Sequence, residues 1–141
     1  MVWVAALQRV CLDNALFLPS FPIPDMNDLE LERAAMAPRR WIDLCTSRAF
    51  RKQRSNDFTK MLHTRTRIIK ETVNSLFIVP GGRYMVTSGK DLSLWDLGYV
   101  STVECKLVAS FGQEGHFSLR EVQPTADGKG LVILSHYGSH G

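Results

Sequence analysis

Val79-Pro80-Gly81-Gly82-Arg83-Tyr84-Met85-Val86-Thr87-Ser88-Gly89, followed by Leu92-Ser93-Leu94-Trp95-Asp96-Leu97, decides how this chain is read. Pro80-Gly81-Gly82-Arg83 is a turn, because glycine reaches positive φ without a steric penalty. Tyr84-Met85-Val86-Thr87 is rich in strand formers, and Ser88-Gly89-Lys90-Asp91 is a second turn. Leu92-Ser93-Leu94-Trp95 alternates as a half-buried strand does. Ser75 to Val79 supplies a strand before this pair, and Lys106 to Phe111 one after it, ended by Gly112. Four strands of about five residues joined by tight turns predict an antiparallel meander.

The pattern then restarts. Phe117 to Val122 reads as a strand, Ala126-Asp127-Gly128-Lys129 as a turn, and Leu131 to Ser135 as a strand. Gly82 to Gly128 spans 46 residues and Val86 to Ile133 spans 47. A four-stranded unit recurring at that interval is the arithmetic of a propeller blade. The second unit leaves the edges of Leu131, Val132, Ile133 and Leu134 unpaired, so the chain alone is expected to be unstable, oligomeric or prone to aggregate.

Upstream the period changes. Trp3, Leu7, Val10 and Cys11 fall at i, i+4, i+7 and i+8, one face of a helix ending near Asp13-Asn14. Pro19, Pro22 and Pro24 predict an extended strap over Phe17 to Pro24. A second helix begins near Asp25 to Asn27, where Asn27 and Glu30 have capping-box spacing. Pro38 is expected to interrupt it, with a short third helix over Arg39 to Cys45. Trp3 and Trp41 are read as core residues, because each sits in an apolar helical stripe. The fold class is therefore α+β: helices over 1–46, a linker over 47–71, and a β-meander over 72–141 that forms an incomplete β-propeller.

Composition narrows the function classes. The 141 residues are 45% hydrophobic and 22% charged, with formal net charge +3, which fits a globular domain rather than a disordered chain. Met1 to Val10 is apolar but short and lacks a basic lead, so it is not read as a secretory signal. No run approaches the roughly 20 apolar residues of a membrane helix. Eight basic residues and one acid fall between Arg48 and Lys70. Phe50 and Phe58 lie among them, and aromatic stacking with phosphate contacts is a route to single-strand nucleic-acid binding, but the spacing follows no RNA-binding signature and the stretch is read as a solvated connector. Cys11, Cys45 and Cys105 are odd in number and widely spaced, which suits inert thiols in a reducing compartment, cytoplasmic or nuclear.

Catalytic and metal chemistry finds no foothold in the motifs. His136 and His140 have ligand spacing but stand in a turn or tail with no second ligand pair. No cysteine or serine carries a nucleophile signature. Gly112 and Gly115 lack the lysine and following helix of a phosphate loop. The expectation is a non-catalytic binding module without cofactor or metal, having protein partners and no nucleic-acid or membrane partner.

The stretch from Val79 to Leu97 resembles the middle of a WD repeat. The resemblance implies a propeller blade fixed by Thr87 or Ser88, Asp91 and Trp95, with Asp96 completing the Trp-Asp pair. Gly115-His116 and Ser135 would be the corresponding elements of the second unit. Val2-Trp3, Ala6 to Cys11, Leu16 to Pro22, Leu29 to Glu32 and Ala37 to Trp41 are similar to the segment that follows the F-box in fungal F-box proteins with a WD-like propeller. There Trp3 matches the tryptophan that ends the F-box, and Trp3 and Leu7 seat the first helix. The two resemblances imply a substrate-recognition subunit of an F-box ubiquitin ligase. Its contact with the cullin-ligase adaptor would need F-box helices placed before Trp3. A propeller has about 4 to 8 blades, so one and a half units read as a fragment. The alternatives are a WD-like scaffold with no ubiquitin role and a basic-segment nucleic-acid binder.

Overall fold

The computed structural model describes residues 2–46, 72–99, 104–112 and 116–138. Among the described residues two α-helices, α1 (Val2–Asp13) and α2 (Asp28–Thr46), precede six strands: β1 (Val73–Ile78), β2 (Tyr84–Gly89), β3 (Asp91–Asp96), β4 (Lys106–Gly112), β5 (His116–Pro124) and β6 (Leu131–Gly138). The architecture is α+β with antiparallel sheets. Strands β1 to β4 form one sheet in sequence order, and β5 pairs with β6 in a second. The basic stretch 47–71 lies outside the described residues.

Helix α1 forms because Leu7 and Cys11 repeat on one face, and both are buried. It stops in a Schellman arrangement. The Leu16 N–H bonds to the Cys11 carbonyl at 2.8 Å, and the Ala15 N–H approaches the Leu12 carbonyl at 3.4 Å. Ala15 carries the left-handed turn at φ 49°, a position where glycine costs less. Helix α2 starts on a reciprocal capping box. Asn27 Oδ1 accepts from the Glu30 N–H at 3.0 Å, and Glu30 Oε2 accepts from the Asn27 N–H at 2.9 Å. Leu31 and Ala35 of α2 and Met26 before it close over Leu7 and Cys11, with Trp3 packed at the margin.

Three expectations are corrected here. Pro38 does not divide the helix: α2 runs through it as 19 residues, with no separate third helix. One proline removes a single backbone donor, and the surrounding alanines and arginines are strong helix formers. Residues 17–24 are not extended. They wind into two 3₁₀ turns, Leu18–Ser20 and Ile23–Asp25, each with proline at its first positions, where a missing N–H is harmless. Trp41 is no core residue: it is 61% exposed, beside an exposed Ile42. The α2 stripe is covered only as far as α1 reaches.

Residues 16–20 join the two halves. The Phe17 N–H bonds to the Pro80 carbonyl at 2.9 Å, in the β1–β2 turn. The Leu18 N–H bonds to the Gly128 carbonyl at 2.9 Å, in the β5–β6 turn. Phe17 is buried with Val79, Val86 and Val122 between the sheets, edge-on to Tyr84. Gly81 lies against Ser20: a Cβ there would stand 2.5 Å from the serine Cβ, and φ is +111°.

Gly81→Ala is therefore expected to cost at least about 1 to 3 kcal/mol from backbone strain alone, with the collision against Ser20 added. Gly82→Ala, at φ +76° in open space, should cost less, about 1 to 2 kcal/mol. Denaturant unfolding of both variants checks the order. Ala15→Gly should raise stability by about 0.5 to 1 kcal/mol, since relief of the left-handed alanine outweighs the added unfolded-state freedom.

Candidate functional site

The first sheet has two distinct faces, set by register. Phe77, Val86, Leu94 and Ala109 are successive cross-strand partners and share one face. That face packs on Val122, Leu119, Leu131 and Ile133 of the second sheet. The row Ile78, Met85, Trp95 and Leu107 lies on the opposite face, with Leu76, Thr87, Ser93 and Ser110 beside it. On this second face Leu76, Ile78 and Leu107 are exposed, while Met85 and Thr87 are buried.

Trp95 is half-buried, and its indole N–H donates to Thr87 Oγ1 at 2.9 Å. The contact is diagonal: Thr87 faces Ser93, two residues before Trp95. The indole lies over a hydroxyl that is only 2% exposed, and a buried hydroxyl without a partner would be costly. Ser93 and Ser110 approach at 3.3 Å in the next pairing.

Ser88 does not join this pair. Its hydroxyl meets that of Ser75 at 2.5 Å on the inner face. Ser75 Oγ in turn accepts the Leu119 backbone N–H at 3.2 Å, so one serine bridges the two sheets. Asp91 opens β3 and lines a polar recess of about 220 Å³ with Thr72, Thr87, Ser88 and Lys90. It thus shares a recess with Thr87 but stands at the other end of β3 from Trp95. His116 is exposed at the start of β5 opposite Gly138, and Ser135 is half-buried on β6 opposite Leu119. The register separates them along the ladder. Gly115 lies outside the described residues. Leu7 is fully buried and Trp3 half-buried, both in the helical cluster.

Asp96 works in a pair that the motif reading overlooks. Arg83 grips its carboxylate through Nη2 at 2.7 Å and Nε at 3.0 Å, and the Gly98 N–H donates to Asp96 Oδ1 at 2.8 Å. Arg83 Nη1 also reaches the Pro19 carbonyl at 3.3 Å. The ion pair is about one-fifth exposed on each side. The signal was in the register: Tyr84 faces Asp96 across the hairpin, which brings the preceding Arg83 alongside. The hydrogen bond from Arg83 holds the Asp96 carboxyl below its ordinary range, against the opposing effect of burial. The hydrogen bond to Asp96 likewise raises the Arg83 guanidinium. Burial pushes the Cys11 thiol up to about 11, which leaves it a poor nucleophile at neutral pH.

Among the described residues no three His, Cys, Asp or Glu side chains gather as a metal cluster would require. No helix among them is long and apolar enough to cross a membrane. No protein-family model matches this chain, and neither a curated protein nor a solved structure does.

The indole–hydroxyl bond generates a measurable pair. Thr87→Val should cost about 1 to 3 kcal/mol by stranding the indole donor. Trp95→Ala should cost about 3 kcal/mol, the low end for a tryptophan because the ring is half-buried. A double-mutant cycle is expected to be non-additive. For the ion pair, a depressed folded-state carboxyl stabilises the fold above its unfolded pKa of about 3.9. That stabilisation is lost as pH falls through the lower folded value. Asp96→Asn should flatten this acid limb of a stability-against-pH curve.

Proposed function

We propose that this chain is a non-catalytic protein-interaction module built from WD-like propeller units, serving as the substrate-recognition part of an F-box ubiquitin ligase. The observation that carries the first half is the two-faced apolar character of the β1–β4 sheet. One face already meets a second unit, and the other presents Leu76, Ile78 and Leu107. A sheet that is half-solvated in isolation shows polar residues on its outer face. A sheet that seals one face and keeps large apolar side chains exposed among the hydroxyls of the other suits a place between two neighbours in a ring. The Trp95–Thr87 bond supports the same reading, since it joins two positions that the WD resemblance marks. The ligase half rests on the resemblance of residues 2–41 to the segment after an F-box.

The test is affinity capture with a chain extended upstream of Met1 as bait, so that helices preceding Trp3 are present, probed for the cullin-ligase adaptor. Recovery of the adaptor together with a third protein is the expected result. Protein partners without the adaptor would favour a WD-like scaffold with no ubiquitin role. Recovery of nucleic acid in a salt-sensitive manner would replace both readings.

A further inference from the structure

Among the described residues the second sheet ends in an open edge beside an apolar groove. Leu92, Leu94 and Phe111 of the first sheet, with Val86 behind them, face Leu131 and Ile133 of β6 across a cavity of about 280 Å³. Among the described residues β6 pairs with β5 alone, so its other backbone edge runs along this groove. The groove continues an interface already made: Val86 is fully buried in the cluster between the sheets, and Leu131 and Ile133 pack against that cluster.

We propose that the β6 edge binds an extended peptide strand, antiparallel to β6, carrying apolar residues at two successive alternate positions, as β3 carries Leu92 and Leu94. The chain itself shows what suits such an edge. Strand β2 stands in the first unit where β6 stands in the second, 47 residues apart at Val86 and Ile133. The outer edge of β2 takes β3 antiparallel, from Tyr84 opposite Asp96 to Ser88 opposite Leu92. Leu92 and Leu94 of β3 thereby turn towards the groove. An occupant of the β6 edge would do the same, with every second side chain entering the cavity. Main-chain bonds to the edge supply affinity and the groove selects apolar side chains.

Charge agrees with this choice. Leu131 to Gly138 holds no Lys, Arg, Asp or Glu. Natural edge strands are guarded against pairing by just such charges, or by proline. Here Val132 and Leu134 point outward instead, 59% and 58% exposed. A second copy fits less well. Antiparallel β6–β6 pairing would place both four-stranded sheets on the same side of the joined sheet. The β3 and β4 strands of each copy, which face β6 across the groove, would then crowd one another.

The probe is a synthetic peptide of residues 90–98, the sequence that occupies the equivalent edge of β2. Hydrogen exchange of the intact chain is followed with and without it. Saturable slowing across 131–138 is expected at or below about 1 mM peptide. A peptide with Leu92→Asp and Leu94→Asp should bind at least about tenfold more weakly. N-methylation of the peptide amides that face β6 should abolish the effect, because it removes donors and leaves side chains intact. No slowing at that concentration overturns the proposal, as does equal slowing by the N-methylated peptide. Protection of 131–138 in the chain alone, rising with protein concentration alongside a dimer in sedimentation, also overturns it and assigns the edge to a second copy. The choice of occupant rests on the recurring-unit part of the proposed function and not on its ubiquitin-ligase part, so either the peptide site or the ligase reading can fail while the other stands.

Discussion

The structure depends on a short segment laid across two hairpin turns. Residues 16–20 make one backbone hydrogen bond to Pro80 and one to Gly128, in turns that recur 46 to 47 residues apart in the sequence. Phe17 enters the core between the sheets, while Leu16, Leu18 and Phe21 pack on the helical cluster. One segment therefore belongs to both cores. Gly81 has no room for a side chain, because Ser20 stands against it, and the Ser20 hydroxyl is buried with no hydrogen-bond partner among the described residues. An unsatisfied buried hydroxyl costs free energy, so the tight approach is tolerated for the joint it permits. Arg83 adds a polar tie at the same place, holding Asp96 on one side and the Pro19 carbonyl on the other.

Local chemistry was legible wherever a few neighbouring residues decide the outcome. The Asn27–Glu30 cap, the end of α1 at Asp13 and the glycine turns each follow from spacing. The six strands follow from apolar runs between those turns. What could not be read is the outcome of competition between distant parts. The prolines at 19, 22 and 24 suggested an extended path, yet proline also suits the first positions of a 3₁₀ turn. Contacts to Pro80 and Gly128 accompany that second option. Pro38 offered a similar choice, and the helix-favouring sequence around it prevailed. Trp41 shows that a correct helical stripe does not reveal how far its partner extends.

The proposed site was legible in kind but not in wiring. Serine and threonine at 87 and 88 looked interchangeable in sequence. Strand alternation sends them to opposite faces, so Thr87 receives the indole and Ser88 meets Ser75 between the sheets. Asp96, grouped with Trp95 by adjacency, instead anchors Arg83. A dipeptide in a strand is two residues on two faces, and a motif written as consecutive letters conceals that division.

The same alternation explains why the two faces of the first sheet differ in finish. On the inner face Val86 and Val79 are sealed, and a backbone donor from Leu119 ends on Ser75. On the outer face the Thr87 hydroxyl is met by Trp95 while Leu76, Ile78 and Leu107 stay exposed. Hydrophobic burial scales with area removed from water, at about 25 cal/mol per Å², so leaving these side chains wet forgoes stabilisation that a neighbouring sheet would provide. The polar bond of Trp95 then acts as a local substitute. The outer face thus sets exposed Leu76, Ile78 and Leu107 around a hydrogen-bonded Trp95–Thr87 pair, and the alternation of the strands is what keeps both off the sealed inner face.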